Sequence, residues 1–355
     1  MPYPARPLPD WQRLLGPPDC SGRLRDVAED FQVWELPLIE PEGAGTHLWL
    51  EVRKRDANTQ WVAGQLAKSA GVPPREVGFA GMKDRHAVTT QWFSIGLQEA
   101  ADSEWTGWTI PGVTILQARR HVRKLQRGAL RGNRFRLVVR GLQGDTSGLP
   151  ERLDALARAG IPNYFGPQRF GRGGANIQRA VHWLESDGRV RRNERSIYLS
   201  AARSFLFNTV LDERLRRGNW NRLVEGDLAM LDGSRSTFAC GVPDAELIRR
   251  CQEFDIHPTG PLPGCDPKRR GLAVSAEAAS IEQAALKPHE CLVRALQRKG
   301  VDHDRRSLRV VPTGLNWRID GSSLEIGFTL PPGAYATSVL RELVLTEPDT
   351  ISEDA

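Results

Sequence analysis

The sequence predicts an α+β protein in which strand-rich ends flank a helix-rich middle. Two observations indicate the strands: residues 88–95 are rich in β-branched and aromatic side chains, and residues 324–330 alternate strictly between apolar and other residues after a turn. The helices are indicated by apolar residues at helical spacing in three central segments, 150–160, 176–184 and 200–217. This order favours one domain interrupted by another, although composition does not distinguish it from three consecutive domains.

Local patterns predict the remaining elements in chain order. Extended segments are expected at residues 24–38, 47–52, 77–80, 105–116 (with a turn), 132–139 and from 308, and helices at 59–70, 276–298 and from about 331. A cap at Asn58 or Thr59 and a stop at Gly71 bound the first helix. Residues 231–234 suit a hairpin turn, residues 258–271 a proline-rich loop, and residues 119–131 an irregular or helical arm.

Length and composition limit the classes of protein that this chain can be. Its 355 residues suit about two domains, and no apolar run approaches the ~18 residues that a membrane-spanning helix needs. The scattered histidines offer no ligand spacing, so we expect no metal. The cysteines are odd in number and far apart, which is typical of reduced thiols, so we expect a cytoplasmic location; they are Cys20, Cys240, Cys251, Cys265 and Cys291.

The positive charge is concentrated in one segment. The net charge is +6 with a pI near 9.3, and residues 119–140 hold nine Lys or Arg residues and no acid. Runs of charge on a solvated face are usually mixed in sign, so a run of one sign favours contact with nucleic-acid phosphates. The cations are Arg119, Arg120, Arg123, Lys124, Arg127, Arg131, Arg134, Arg136 and Arg140. The first six form the predicted RNA-binding tract.

Residues 79–94 are the segment around which the chemistry is predicted. Asp84 is the single acid of this segment, and Lys83, Arg85 and His86 surround it in the sequence. Neighbouring cations favour a charged carboxylate, so we expect Asp84 to be ionised. Predicted strands on both sides make residues 81–87 a short loop held by a rigid frame, which is where reactive groups are often placed. The alternative is an ordinary turn or capping aspartate.

A glycine-rich segment at residues 166–174 is not a nucleotide-binding loop. Gly166 and Gly171 have the spacing of a phosphate-binding loop, but Arg172-Gly173 follows where Lys and then Ser or Thr are required. Asn176 stands where a dinucleotide-binding fingerprint needs its last glycine. We therefore expect no nucleotide cofactor.

The segment Gly81-Met-Lys-Asp-Arg-His-Ala-Val-Thr-Thr-Gln91 resembles the signature Gly-x-Lys-Asp-x-x-Ala-x-Thr-x-Gln of the tRNA pseudouridine synthase D family. Six residue types fall in register with that signature. The resemblance runs from about Arg23 to Leu343, and residues 161–171 form a second closely matching block. It implies that Asp84 is the catalytic residue.

The resemblance also implies four substrate-binding residues. Arg25 and Phe31 match a basic residue and a Phe of the family's amino-terminal block, and Asn133 matches the Asn of a Gly-Asn-x-Phe block. Tyr335 stands where the family has an active-site aromatic residue, with Phe in bacterial relatives. The alternatives from the residues alone are a solvated cation for Arg25, a core aromatic for Phe31 and a turn residue for Asn133.

The family's architecture and activity complete the expectation. The resemblance implies a catalytic domain on a mixed, largely antiparallel sheet, formed by residues 1–158 and 306–355, and an inserted α-rich domain at residues 159–305. It implies conversion of uridine 13 of tRNA to pseudouridine without a cofactor, and we expect the protein to be a monomer. Asp84 would attack C1′ of the sugar or remove a proton from C2′. A non-catalytic RNA-binding protein and a base-excising nucleosidase are the alternatives, and product analysis separates them.

Overall fold

The structure is a computed structural model that describes residues 8–97, 104–186, 188–265 and 271–346. Its strands are β1 Cys20–Leu24, β2 Phe31–Pro37, β3 His47–Arg55, β4 Val77–Phe79, β5 Val88–Gly96, β6 Val113–His121, β7 Leu130–Gly144, β8 Ile161–Pro162, β9 Leu228–Leu231, β10 Thr237–Ala239, β11 Ile256–Leu262, β12 Asp304–Ser307, β13 Arg309–Val310, β14 Thr313–Asp320, β15 Ser323–Leu330 and β16 Leu345–Thr346. Its helices are α1 Thr59–Ser69, α2 Leu149–Ala159, α3 Ala175–Ser186, α4 Arg192–Arg216, α5 Ala245–Gln252, α6 Ala276–Leu286, α7 Glu290–Arg298 and α8 Ala336–Leu340. Within these described ranges, no helix is both long and apolar enough to cross a membrane.

The chain divides into two compact units. The sheet unit consists of Asp19–Gly148, Pro312–Gly333 and Val344–Ala355, and the helical unit of Met1–Pro18, Leu149–Val311 and Ala334–Leu343. The predicted domain boundaries at 158/159 and 305/306 lie close to the unit borders at 148/149 and 311/312. Two further segments, one at the amino terminus and one near the carboxyl terminus, also belong to the helical unit.

The sheet unit is built on one ten-stranded sheet. Its main path runs β14-β15-β7-β2-β5-β3-β6, with β1 beside β7, β16 beside β1, and β4 beside β5. The β2–β5 and β1–β16 pairs are parallel, and the other pairs are antiparallel. The predicted α+β class with a mixed, largely antiparallel sheet is therefore confirmed.

Period-two patterns decide which strand faces are buried. Along β15, buried and half-buried residues alternate without interruption, as the sequence predicts. Along β3, Leu48, Leu50 and Val52 enter a core that also holds Val62 and Leu66 of α1. Helix α1 begins as predicted, because the Asn58 side chain accepts a hydrogen bond from the Gln60 N–H (2.8 Å). Packing of α1 against this sheet holds the residues between α1 and β4 in place.

The helical unit has a separate core. Aromatic side chains from the 164–170 segment, α3 and α4 dominate it, including Tyr164, Phe170, Trp183 and Phe207, and α7 adds Leu296. A four-stranded sheet in the order β10-β9-β11-β12 and the small β13–β8 pair complete this unit. The predicted hairpin turn at 231–234 lies between the antiparallel strands β9 and β10.

The basic tract is only in part the irregular or helical arm that the sequence predicts, because its two ends are strand. Arg119 and Arg120 belong to β6, and Arg131 belongs to β7, so only residues 122–129 between the two strands are irregular. Strand β6 pairs with β3 at the end of the sheet path, with Trp49 opposite Arg119. Long charged side chains suit such an edge strand, which is why a basic segment adopts strand structure here.

Two other predicted elements are also wrong in part. Residues 256–262 form β11, although Pro258 and Pro261 predict a loop. This strand pairs first with β9 and then with β12, so each of its two ladders is short. Residues 266–270 of the predicted loop lie outside the described residues. The helix predicted at 276–298 is divided into α6 and α7 around Pro288, because proline lacks the N–H that a helix interior requires.

Candidate active site

Asp84 lies in the loop between β4 and β5, and both flanking strands are present as predicted. These strands pair with each other, so both ends of the loop are attached to the sheet. The Asp84 side chain keeps 46 % of its surface exposed. The carboxylate is therefore held on a rigid frame and is accessible to a substrate.

Arg25 contacts both Asp84 and Phe31. Its guanidinium lies 3.3 Å from Asp84 Oδ2, and its central carbon is 4.2 Å from the centre of the Phe31 ring. Phe31 is buried and meets the Phe135 ring edge-on at 6.3 Å. The aromatic ring thus supports the guanidinium, and the guanidinium supplies positive charge to the carboxylate.

The backbone of Arg25 adopts a conformation that is unusual for its residue type. Its φ angle is +66°, in the left-handed region that residues with a Cβ rarely adopt. Such strain is typical of functional positions, where the surrounding structure enforces it. The turn directs this side chain from the end of β1 toward Asp84, while only 7 % of its surface remains exposed.

Three buried polar side chains hold the main chain of the Asp84 loop. Gln91 of β5 donates to the Gly81 carbonyl (3.1 Å), and the Thr59 hydroxyl accepts from the Lys83 N–H (3.0 Å). The Lys54 ammonium of β3 donates to the Asp84 carbonyl (2.8 Å). The loop therefore has a fixed path, because each of these contacts satisfies a backbone group that would be unfavourable to leave unpaired.

A buried ion pair holds the side chain next to Asp84. The Lys83 ammonium contacts Glu35 Oε2, and only 6 % of the Lys83 side chain and 1 % of the Glu35 side chain are exposed. The other Glu35 oxygen accepts the Trp92 N–H at 3.3 Å. With Lys83 directed inward toward β2, the adjacent Asp84 side chain is free to face outward.

Asn133 is connected to this site through the sheet. It pairs across the strands with Glu35 on one side and with Leu330 on the other. The preceding residue must be small, because a Cβ on Gly132 would lie 2.6 Å from the Leu330 carbonyl oxygen. Within the described part of the chain, Asn133 Oδ1 is buried and has no hydrogen-bond partner. A buried acceptor of this kind suits a substrate N–H.

Tyr335 belongs to the helical unit, where Arg169 holds its hydroxyl. The hydroxyl oxygen accepts hydrogen bonds from Nε (3.0 Å) and Nη2 (2.7 Å) of Arg169, which also donates to Ser200 (2.9 Å). The Tyr335 ring lies 6.0 Å from that of Phe165 and is half-buried. Arg169 therefore fixes the orientation of an aromatic ring that stays partly accessible.

The six residues of the predicted RNA-binding tract differ in environment. Arg119, Arg123, Arg127 and Arg131 are exposed, and the Arg127 guanidinium lies 3.8 Å from the Phe79 ring centre. Arg120 is buried and donates to the Leu97 carbonyl at 2.6 Å, while Lys124 contacts the Arg75 carbonyl. Only part of the tract is therefore able to contact a polyanion directly.

Sequence reasoning did not identify Lys54 or Glu35 as parts of this site. Both have a recognisable signal, because each continues the buried face of its strand. Lys54 follows the even-numbered apolar residues of β3, and Glu35 follows the odd-numbered ones of β2. Burying an ionisable side chain is unfavourable unless it has a polar or charged partner, so such a residue on a buried face indicates a specific contact. Thr59, which the sequence indicates as a cap, and Arg169 have no comparable signal.

Comparison with known proteins identifies the family of this chain. The family model for tRNA pseudouridine synthase D matches residues 13–181 and 175–343. The chain belongs to the tRNA pseudouridine synthase D family. It is 46 % identical over 342 residues to tRNA pseudouridine synthase D of Methylococcus capsulatus, covering 96 % of this chain and 95 % of the relative. It is also 46 % identical over 347 residues to that of Xanthomonas campestris, covering 93 % of each chain.

A solved structure has the same fold. The crystal structure of a Methanosarcina mazei protein described as a tRNA pseudouridine synthase D superposes with a TM-score of 0.69 at 24 % identity, covering 94 % of both chains. As a tRNA pseudouridine synthase, this protein isomerises uridine to pseudouridine in tRNA and binds RNA as its substrate. The expected family and the expected isomerisation of uridine in tRNA are thereby confirmed.

Proposed function

We propose that Asp84 is the catalytic carboxylate of this tRNA pseudouridine synthase, that uridine 13 is its target and that no cofactor is needed. The observation that carries this proposal is the exposed Asp84 carboxylate, paired with Arg25 on a loop whose main chain is held by buried side chains. Preorganised charge of this kind accelerates a reaction because no rearrangement is needed when the transition state forms.

The reaction requires little more than one positioned carboxylate. The N1–C1′ bond breaks, the uracil turns and C5 bonds to C1′, after which the C5 proton leaves to solvent. Asp84 either attacks C1′ and is later displaced, or removes the C2′ proton on the way to a glycal and then returns it. Arg25 stabilises the carboxylate in both routes.

We propose that Asn133 and Tyr335 bind the extruded nucleotide, and that Phe31, which is buried, acts in substrate binding through Arg25. Removing a base from its stack costs a few kcal/mol, which an aromatic surface and hydrogen bonds to the base edge offset. The buried Asn133 Oδ1 suits the uracil N3–H, and the accessible Tyr335 ring suits stacking. Phe31 contributes by supporting Arg25, since the guanidinium lies 4.2 Å from its ring centre.

We also propose that the sheet unit is the catalytic domain, corresponding to predicted residues 1–158 and 306–355. The inserted domain, predicted at residues 159–305, then corresponds to the helical unit. The protein is proposed to act as a monomer in the cytoplasm. All five cysteines carry free thiols, which suits a reducing compartment.

The proposal is tested with tRNA that carries 5-tritiated uridine. We expect tritium release by the wild-type protein, loss of the modification when uridine 13 is replaced by cytidine, and no free uracil. Release that survives this replacement would reject position 13. Free uracil in place of pseudouridine would reject the isomerisation and indicate a nucleosidase.

Binding of tRNA is predicted to be strongly salt-dependent. Five exposed arginines in residues 119–140 have no carboxylate partner among the described residues: Arg119, Arg123, Arg127, Arg131 and Arg134. If about five cations meet phosphates, log K falls against log salt with a slope of roughly −4. Replacing Arg119 and Arg123 by Gln should reduce the slope by about 2, measured by filter binding.

The matched control replaces two exposed arginines that already have acidic partners. Arg216 and Arg217 pair with Asp212 and Glu213 in α4, so their replacement by Gln should leave the salt slope within about 0.5 of the wild-type value. A similar loss of slope in both double variants would show that net charge alone, rather than the basic tract, controls binding.

The two parts of the Tyr335 side chain are predicted to contribute unequally. Tyr335→Phe removes the acceptor for Arg169 but keeps the ring, so we expect kcat/KM within about threefold of wild type. Tyr335→Ala also removes the stacking surface, which is worth about 1–3 kcal/mol per base, so kcat/KM should fall roughly tenfold to hundredfold. Equal losses in the two variants would exclude a stacking role.

A further inference from the structure

We infer that Lys54 is a positioning residue for the reaction, because its buried ammonium holds the main-chain carbonyl of Asp84 and thereby sets the position of the carboxylate. The inference rests on the proposed catalysis by Asp84. Lys54 does not belong to the signature that identifies the loop, since it lies 30 residues earlier, in β3.

The contacts of Lys54 are specific. Its side chain is fully buried, and Nζ donates to the Ala57 carbonyl at 2.6 Å and to the Asp84 carbonyl at 2.8 Å. The first contact holds the end of β3 to the start of α1. The second attaches that junction to the loop that carries Asp84. One ammonium therefore joins the rigid frame to the reactive residue itself.

The charge of Lys54 is difficult to explain by stability alone. Burying an ammonium is unfavourable, and its hydrogen bonds to two main-chain carbonyls offset that penalty only in part. Leu48, Leu50 and Val52 show that this face of β3 otherwise takes apolar residues. A positive charge here does have an effect on the Asp84 loop, because an ammonium donates a stronger hydrogen bond to the Asp84 carbonyl than a neutral donor would.

The electrostatic surroundings of Lys54 make this effect measurable. Burial lowers the pKa of Lys54 to about 8, the nearby Lys83 ammonium also lowers the pKa, and the carboxylates of Asp84 and Asp56 raise it. Thr89 of β5 and Val113 of β6, which pair with Lys54 across the strands, carry no charge. Lys54 thus loses its proton at a pH where an exposed lysine keeps it.

Activity and stability should respond to this titration with opposite signs. As pH rises through about 8, Lys54 loses its charge in the folded protein, while in the unfolded chain it stays protonated up to its ordinary pKa of 10.5. In this window the unfolded state binds more protons, so the Lys54 contribution to stability increases with pH. In the same window the hydrogen bond from Lys54 to the Asp84 carbonyl loses its charge assistance and weakens, so kcat should fall about threefold to tenfold.

The test compares Lys54→Met with Lys68→Met and with Asp84→Asn in the tritium-release assay. Lys68 is an exposed lysine of α1 and serves as the matched control. We expect Lys54→Met to lower kcat on the order of tenfold to a hundredfold with KM within about threefold, since a displacement of about 1 Å at a reactive group can cost a hundredfold. The alkaline decrease in kcat should be absent from the Lys54→Met profile and present in that of Lys68→Met.

Each outcome decides between the two proposals. If Asp84→Asn is inactive and folded Lys54→Met keeps at least half of the wild-type kcat, the role of Lys54 is rejected and that of Asp84 stands. If Asp84→Asn keeps substantial activity, the proposed function itself fails. If Lys54→Met does not fold, the wild-type profile decides: a decrease in kcat through about pH 8 in a fully folded protein supports the role, and a constant kcat between about pH 7 and 9 overturns it.

Discussion

Asp84→Asn is expected to lower turnover by roughly 10⁴ or more while tRNA binding stays within about threefold of wild type. The substitution preserves size and removes the charge and nucleophilicity on which both proposed routes depend. Folding should be unaffected, because the Asp84 side chain is 46 % exposed and the loop is held through its main chain. Single-turnover tritium release, paired with filter binding of the same tRNA, measures both quantities.

Asp56→Asn is the control for this experiment. Asp56 is a nearby exposed aspartate with a positive φ of +50°, a conformation that asparagine adopts readily. We expect its turnover to stay within about twofold of wild type. An Asp84→Asn variant that keeps a tenth of the wild-type rate would rule out the proposed catalytic role. If Asp84→Asn loses tRNA binding in proportion to turnover, Asp84 would be a binding residue instead.

Glu35→Gln is expected to destabilise the protein by about 3–5 kcal/mol, the largest stability change predicted here. The substitution leaves the buried Lys83 ammonium without its counter-charge, and breaking a buried pair from one side exposes the full desolvation penalty of the remaining charge. Denaturant unfolding followed by tryptophan fluorescence measures the change, since Trp92 lies beside Glu35 in the sheet unit.

A double-mutant cycle distinguishes the pair from a general effect of mutating the core. Glu35→Gln combined with Lys83→Met removes both charges, so the double variant should be more stable than the sum of the single changes by at least about 2 kcal/mol. The exposed Glu246–Arg249 pair provides the control: a fully exposed ion pair contributes little to stability, so Glu246→Gln should unfold at the denaturant midpoint of the wild type. Additive losses at Glu35 and Lys83 would show that the two charges are not coupled.

Local patterns predict the elements of this fold well where one physical rule dominates. The alternation along β15 and the Asn58 cap of α1 are visible in the sequence because neighbouring residues decide them. The predictions are wrong where a strand that is distant in the sequence determines the local structure. Residues 119–121 are strand because β3 lies beside them, and Pro258 is tolerated in β11 because β9 and β12 share that strand.

The family, the activity and the loop that carries Asp84 follow from local sequence, because the signature residues lie in one segment and their types are specific. How that loop is held depends on the folded chain. Lys54, Glu35 and Arg25 come from three different strands or strand ends, and their contacts with residues 83 and 84 exist only after the sheet has formed. Once buried, these charged side chains must pair with specific groups, since an unpaired charge in the protein interior would be strongly unfavourable.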